Sequence, residues 1–512
     1  MSENFGRIVV CDFEYEIEDG DFPKPLCMVA YVLDEHLQHV RTIRLWRGEF
    51  EATPPFDTGP DSLFVAYAAQ AEMMCFKVLG WRFPVHIFDQ HTAYLAASNV
   101  LLPHNPDEKR TRQHKRLPDA CRAYGIQGWD QINKEEIARD IGEGRWRKYG
   151  RSGVFAYCEE DVKKSTELLR AQLRRCCDDR GRTLLPQADT DHVLHWSNYS
   201  AKAVALIQSR GMPIDVALWE LVQENKAAII GELLRRFDPS YGEEETIYTT
   251  DGEWSYVRFA RWLMRHGVYA WPRLESGQLD IDSDAFRLMY HVPGIKGLHA
   301  LRDSIGFINK ARLPIGRDRR NRPALFPFGT ATGRNAHAKS PFNASAAMRS
   351  FMLFQPGTIG TYLDWRTQEV GIAAERSDDQ DLKDDYAGGD IYHALALMCG
   401  LTAETDRIRW KKTDPAMRDR MKKLQLGINY GMRVPSLARG LDRHPLIASA
   451  IIERHKNKYP RFWEWRAAMV QPLCLIGELR AYLVGRYVSP PVLTSGRSTI
   501  FLCNRAALRC CA

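Results

Sequence analysis

Two acids two residues apart, Asp12 and Glu14, close the apolar run Arg7-Ile8-Val9-Val10-Cys11 near the start of this 512-residue chain. On an extended strand alternate side chains share a face, so both carboxylates point the same way, about 7 Å apart along the backbone. Such a pair offers oxygen ligands to one or two hard divalent cations; it is also the ordinary end of a solvated strand. A second group, Tyr157-Cys158-Glu159-Glu160-Asp161-Val162, sets Tyr157 and Asp161 four apart, on one face of a helix. There a phenol can hold a water while a carboxylate holds a metal, or a surface tyrosine can stand beside acids. In a third, Thr361-Tyr362-Leu363-Asp364-Trp365-Arg366-Thr367-Gln368-Glu369, a strand-like run delivers Asp364 and a second acid follows five residues later. A lone strand-end Asp is more often a cap or turn residue. The fourth group is Arg418, Lys422, Leu426 and Tyr430 in steps of four, followed by Gly431. That spacing stays near one helical face and drifts slowly around it. Arg418 as a fork and Lys422 as a point charge suit triphosphate oxygens. Tyr430 can stack near a base, and Gly431 can end or bend the helix. An amphipathic surface helix would show the same pattern.

These groups need elements to hold them. Residues 7–11 read as a buried strand and 26–32 as its antiparallel neighbour, with helices over 61–79 and 152–174. Strands followed by helices indicate a mixed α/β unit up to about residue 185. The polar stretch 180–191, with Gly181 and Pro186, reads as a linker. Residues 192–310 read mostly as helices, with apolar side chains at three- and four-residue spacing over 218–237 and 257–264 and a turn at Asp251-Gly252 between them. Residues 311–360 are rich in Arg, Pro, Gly and Asn and read as irregular, 357–364 is strand-like, and helices dominate 391–465.

The length calls for two to four domains. Hydrophobic residues at 45% and charged residues at 26% fit a globular enzyme. No apolar run is long enough to span a membrane, so none is expected. The N-terminus, Met1-Ser2-Glu3-Asn4, has no signal-peptide pattern. The 12 cysteines show no CxxC pair, which points to a reduced, cytoplasmic chain without structural zinc. The net charge of +7 is mild, but it is unevenly spread: residues 310–349 carry nine basic side chains against the single acid Asp318, and 407–423 carry eight more. Such stripes suit a phosphate backbone; solvated loop and helix faces are the plainer alternative.

Taken together, the motifs resemble family A (polymerase-I-type) DNA polymerases with a 3′→5′ proofreading exonuclease domain. Tyr157-Cys-x-x-Asp161-Val is similar to the third exonuclease motif, about 150 residues after Asp12. Phe64-Val65-Ala66-Tyr67-Ala68-Ala69-Gln70-Ala71-Glu72 resembles the second, with Glu72 in place of the usual Asp and Ala68 in place of Asn. The resemblance implies metal ligation by Asp12, Glu14, Glu72 and Asp161, with Tyr157 orienting the attacking water. Asp364 matches the metal-binding acid of polymerase motif A, and Glu369 the acid that packs beneath the sugar and selects against a ribose; Arg366 and Thr367 replace the usual Ser-Gln. Arg418, Lys422, Leu426, Tyr430 and Gly431 match the motif B helix, with Leu426 where an aromatic is common. Arg210-Gly211-Met212-Pro213-Ile214-Asp215, Thr332-Gly333-Arg334 beside the primer terminus, and Tyr459-Pro460-Arg461-Phe462-Trp463 agree in order. Arg334, Arg349 and Gly431 are the expected DNA contacts.

The resemblance implies a multidomain α/β fold. A ribonuclease-H-like exonuclease domain (1–185) is followed by a helical thumb (192–310), a palm (311–375), fingers (376–476) and an atypical tail (477–512). It implies DNA-directed synthesis with 3′→5′ editing, two Mg²⁺ per site with Mn²⁺ as a substitute, primer–template DNA and deoxynucleoside triphosphates as partners, and a monomer. One motif does not match. The family's third palm motif, His-Asp-Glu, has no counterpart, and residues 479–512 contain no Asp or Glu, where average composition would place about four. The sequence reading is therefore a chain truncated or frame-shifted near Gly485-Arg486-Tyr487-Val488, with an incomplete palm and uncovered apolar faces. Its alternatives are a 3′→5′ exonuclease alone and a non-catalytic primer–template-binding remnant.

Overall fold

The computed structural model describes residues 5–98, 116–128, 131–174, 176–177, 183–185, 190–240, 246–249, 252–327, 335–341, 346–361, 363–441, 443–476, 478–481 and 485–488. A five-stranded sheet of order β3-β2-β1-β4-β5 organises the first part. β1 (Arg7–Glu16) is central, antiparallel to β2 (Lys24–Leu33), which is antiparallel to β3 (His39–Trp46). On its other side β1 runs parallel to β4 (Ser62–Ala66), and β4 parallel to β5 (His86–Asp89). The helices α1 (Gln70–Leu79), α2 (Gln90–Ser98), α3 (Leu117–Ala123), α4 (Gln131–Gly142) and α5 (Gly150–Gln172) flank it.

Alternation along β1 sets up two cores. Val9, Cys11 and Phe13 join Met73, Cys75 and Phe76 of α1 on one face. Ile8 and Val10 join Val154, Cys158 and Val162 of α5 and Ile141 of α4 on the other. Asp12 and Glu14 therefore continue the Ile8/Val10 row, beneath α5 and α4. The β1–β2 register shifts between Glu14 and Tyr15, a bulge that re-aims side chains where the acids end.

The structure corrects the sequence reading of 61–79 as one helix: Ser62–Ala66 is a strand and the helix begins at Gln70. Ser62, Leu63, Phe64, Val65 and Ala66 are all buried, as a strand between two parallel neighbours requires. A short apolar run of that kind has no period to tell strand from helix. Ala68, in the turn between them, has φ +61°. Within the expected linker, β7 (Thr183–Leu185) pairs antiparallel with β6 (Cys176–Cys177), and 186–189 lie outside the described residues.

The middle part is helical: α6 (Thr190–Ser197), a π-helical turn (Asn198–Ala203), α7 (Val204–Arg210), α8 (Val216–Glu224), α9 (Lys226–Phe237), α10 (Tyr256–Arg265), α11 (Ser283–Leu288) and α12 (Ile295–Lys310). The periodic stretch 218–237 is two helices, broken at Asn225, whose side-chain amide bonds back to the Leu221 carbonyl. Ile247, Phe259, Trp262, Phe286 and Leu298 centre their own core. Short ladders follow, β8 (Met212–Pro213) with β9 (Arg320–Asn321) and β10 (Ala324–Phe326) with β11 (Ala336–Ala338).

Residues 357–364 depart from expectation. Those of them that are described form no strand, and Ile359 and Leu363 are each 88% exposed. Among the described residues no strand pairs with this segment, and none of them covers its apolar side chains Ile359 and Leu363. Beyond it come α13 (Gln368–Ser377), α14 (Gln380–Ala387), α15 (Ile391–Met398), α16 (Arg407–Thr413), α17 (Pro415–Asn429), α18 (Val434–Leu441), α19 (Pro445–Lys458) and α20 (Pro460–Ile476). They enclose a core around Leu395, Trp410, Leu424, Ile428 and Phe462. A hairpin, β12 (Glu478–Ala481) and β13 (Gly485–Val488), is the last described element.

Candidate functional site

The acids of β1 meet side chains from three helices. Ligand atoms of Asp12, Glu14 and Cys158 lie within 4.8 Å of one another, and the buried Cys158 Sγ is 3.3 Å from Asp12 Oδ2. Glu72, in the first turn of α1, is 3% exposed, and its Oε2 has no hydrogen-bond partner. Asp161, one turn after Tyr157 on α5, forms an ion pair with Lys134 of α4. The Lys134 ammonium is also 4.9 Å from the centre of the Tyr157 ring. The position is a natural one, because the carboxyl ends of β1 and β4 face the start of α1, where ligands of open parallel sheets collect.

Burial and mutual repulsion define the electrostatics. Burial pushes Asp12 up to about 6, against the pull of the Cys158 thiol and the Lys134 ammonium. Glu14 is raised by burial and then by the Asp12 charge. Glu72 is raised by the same two causes. The Tyr157 phenol is raised by burial, then by Glu14 and Asp12. Burial draws Lys134 down to about 8, although Asp12 and Glu14 favour its charged form. Carboxylates crowded and desolvated like this are held together at a cost that a bound cation would offset. The close group pairs the two carboxylates with the Cys158 thiol, and Glu72 and Asp161 lie outside it; the carboxylates of Asp12 and Glu14 and the orphaned Glu72 oxygen fit a hard divalent ion.

Two acids nearby serve the fold instead. Asp89, at the end of β5, accepts from the Ala68 N–H at 3.0 Å and from Thr92 Oγ1 at 2.7 Å. Glu159 is clamped by Arg44 through two hydrogen bonds, 2.9 and 2.6 Å, and accepts from the Tyr31 hydroxyl. Lys134 escaped the sequence reading, because no local pattern ties it to acids far away in the chain.

The second set of candidate residues lies on α13 and α17. Asp414 caps α17 by accepting from the Met417 N–H, and Pro415 occupies its first turn. Met421, Leu424, Gln425 and Ile428 are buried, while Lys422 is exposed and Arg418, Leu426 and Tyr430 are partly so. The four-residue steps thus leave one open face. Gly431 follows with φ +71°, as a left-handed helix terminus requires. Arg418 Nε donates to Asp390 Oδ2 at 2.7 Å, and its guanidinium is 5.1 Å from the centre of the Tyr392 ring. Tyr392 is pushed up to about 12 by burial, with Arg418 opposing and Asp390 and Glu369 adding to the shift. Glu369 and Arg418 therefore act on the same ring. Asp364 is exposed on the unpaired segment. Arg366 donates to the Gly389 and Tyr386 carbonyls, at 3.1 and 3.3 Å, and receives the Tyr386 hydroxyl at its own carbonyl. It fixes the start of α13 instead of reaching toward a nucleotide. Arg349 is exposed on the 3₁₀ turn Ala346–Phe351, and Arg334 lies outside the described residues.

The basic stretch 310–349 proves only partly open. Arg317 donates to both oxygens of Glu18, Lys339 to Asp19, and Arg322 to the Gly20 carbonyl and Asp318. Three of its cations thus tie this segment to the loop between β1 and β2. Lys411, Lys412, Lys422 and Lys423, by contrast, are exposed.

A sequence profile of DNA polymerase family A matches residues 328–500. That span holds Asp364, Glu369, Arg418, Lys422, Leu426 and Tyr430, and it runs past Val488. No curated protein matches the chain. Among solved structures, the POL domain of Pol1 from M. smegmatis, in complex with DNA primer-template and dNTP, is similar at 15% identity and a TM-score of 0.63, over 99% of this chain and 82% of that one. At that identity the likeness is one of fold. Among the described residues no helix is long and apolar enough to cross a membrane.

Proposed function

Residues 328–500 carry a family A DNA polymerase domain, and from that premise we propose that the chain is a DNA-directed nucleotidyltransferase with a separate 3′→5′ exonuclease centre. The observation that carries the synthetic half is the open face of α17 within the matched span. Arg418 and Lys422 there supply a fork and a point charge for a triphosphate. Glu369, whose charge is felt at the Tyr392 ring beside Arg418, would be the residue that tests the sugar. Asp364 would hold the divalent cation, which would supply charge neutralisation for the transfer.

The hydrolytic half rests on Asp12 and Glu14 of β1, Glu72 of α1, and Tyr157 and Asp161 of α5, three elements that converge on one centre. Divalent cations, Mg²⁺ in the reading adopted here, would supply charge neutralisation and an activated water. This chain's residues supply the rest: Asp12, Glu14 and Glu72 hold the cation, and Tyr157 orients the water from its perch on α5. The substrate is the 3′ end of a DNA strand; in the synthetic half, the exposed Lys411, Lys412 and Lys423 would offer charge to a DNA backbone.

A second reading, exonuclease activity alone, is favoured by one contrast. The acidic centre is assembled and at least half-buried, whereas Asp364 stands exposed on a segment with no paired strand among the described residues. A labelled primer–template incubated with Mg²⁺, with and without deoxynucleotides, separates the two. Extension abolished by Asp364→Ala and shortening abolished by Asp12→Ala support both centres. Shortening without extension supports the second reading, and neither activity refutes both.

A further inference from the structure

Lys134 is the one basic side chain, among the described residues, ion-paired inside the acidic centre. It comes from α4, packed beside the β1 row, and its side chain is 17% exposed and that of Asp161 13%. It sits over the Tyr157 ring, and Asp12, Glu14 and Glu160 all act on its charge. The opposite end of the centre is different. Glu72 is nearly inaccessible and its Oε2 is unpartnered, although Asp12 and Asp89 repel it. One side of the cluster thus already has a cation and the other side lacks one.

We propose that Lys134 fills one of the two cation positions of this centre, so that the folded site takes a single divalent ion, on Asp12, Glu14 and Glu72, and accepts a second only when Lys134 leaves Asp161. This rests on reading the cluster as a hydrolytic metal site. Formal charge supports it. Asp12, Glu14, Glu72 and Asp161 total four negative charges when ionised. With Lys134 in place one divalent ion leaves one negative charge, and a second would leave one positive charge in a desolvated pocket. With Lys134 withdrawn, two divalent ions balance the four carboxylates. Buried sites resist uncompensated charge of either sign, so the lysine sets the metal stoichiometry. A strand phosphate arriving beside Asp161 offers Lys134 an alternative partner, which would couple the second ion to bound DNA.

Mn²⁺ titrated calorimetrically into the full chain tests this, in an Asp364→Ala background that removes the palm ligand. One ion is expected per chain, two when Lys134→Met is added, and one again with Lys134→Arg. Lys134→Gln keeps a polar head beside Tyr157 and must also give two, which guards against a folding defect in the methionine variant. Two ions with Lys134 intact, or one ion in both neutral variants, would overturn the role of Lys134 and leave the cluster standing as a metal site. No ion in any of these chains would overturn the hydrolytic reading as well.

Discussion

Acidification should loosen the helix that presents Arg418 and Lys422, through His455. This histidine is fully buried on α19. Its Nδ1 accepts from Trp463 Nε1 at 3.0 Å, so the proton sits on Nε2, 3.4 Å from Gln425 Oε1 on the buried face of α17. Gln425 in turn donates to Asn429 Oδ1 at 3.1 Å. Burial, helped by Arg466, lowers His455 from 6.5 to about 3. The sign follows from where the proton binds. Between those two values the unfolded chain takes up a proton that the folded chain refuses, so stability is complete above pH 6.5 and falls as the pH drops toward 3. At pH 5 the deficit is about 1.5 units, or about 2 kcal/mol, roughly a thirtyfold change in the unfolding constant. Urea unfolding followed by tryptophan fluorescence, at pH 7 and pH 5, should show that loss in the unaltered chain and lack it in His455→Gln, whatever the variant's baseline. Other titrating groups are common to both chains and cancel. Equal pH responses would refute the buried neutral imidazole and the pinning of α17 that depends on it.

Two further outcomes follow from the same physics. Glu72→Gln removes a buried, repelled carboxylate, so thermal unfolding in EDTA at pH 7.5 should shift upward while Mn²⁺ affinity, read by calorimetry, falls by about tenfold or more; lower stability in EDTA would sink the electrostatic account. Asp390→Ala removes both the cap on the Tyr392 N–H, at 3.1 Å, and the partner of Arg418, which should cost about 1–3 kcal/mol in urea unfolding, and a cost near zero would mean that the pair is only incidental.

What the sequence disclosed depended on whether a signal was local. Asp12 and Glu14 were readable because they extend an alternating strand, and α17 because four-residue steps run along it and Gly431 ends it. The strand Ser62–Ala66 was not, since five apolar residues carry no period and only the neighbours β1 and β5 make them a strand. Asp364 shows the reverse. Its run reads as a strand by composition, yet a strand exists only when another pairs with it. Lys134 and the Asp390–Arg418 pair were invisible for a third reason, because the partners that give them meaning lie far off in sequence. Ala68 lies between these cases: its φ of +61° is the backbone state in which Asn is enriched, which gives the unusual alanine a local meaning only once the turn is seen.

The two candidate centres differ in what holds them. Asp12 and Glu14 stand on the central strand of a sheet with cores on both faces, so their positions are set by packing before any ligand arrives. Repulsion among the carboxylates is the cost of that order, and Lys134 offsets part of it. Asp364 has no such frame among the described residues, and the neighbouring Leu363 and Trp365 are 88% and 62% exposed. The side chains proposed for the nucleotide are held more firmly than the acid proposed for the metal. Arg418 is fixed by Asp390, and α17 by the Gln425–His455–Trp463 chain. Because electrostatic catalysis depends on groups fixed beforehand, the proposed hydrolysis at the acidic centre would need only a cation and a strand end, whereas the proposed synthesis at Asp364 would also need bound primer, nucleotide or metal to frame an exposed acid. Extension should then depend more steeply on nucleotide and metal concentration than shortening does.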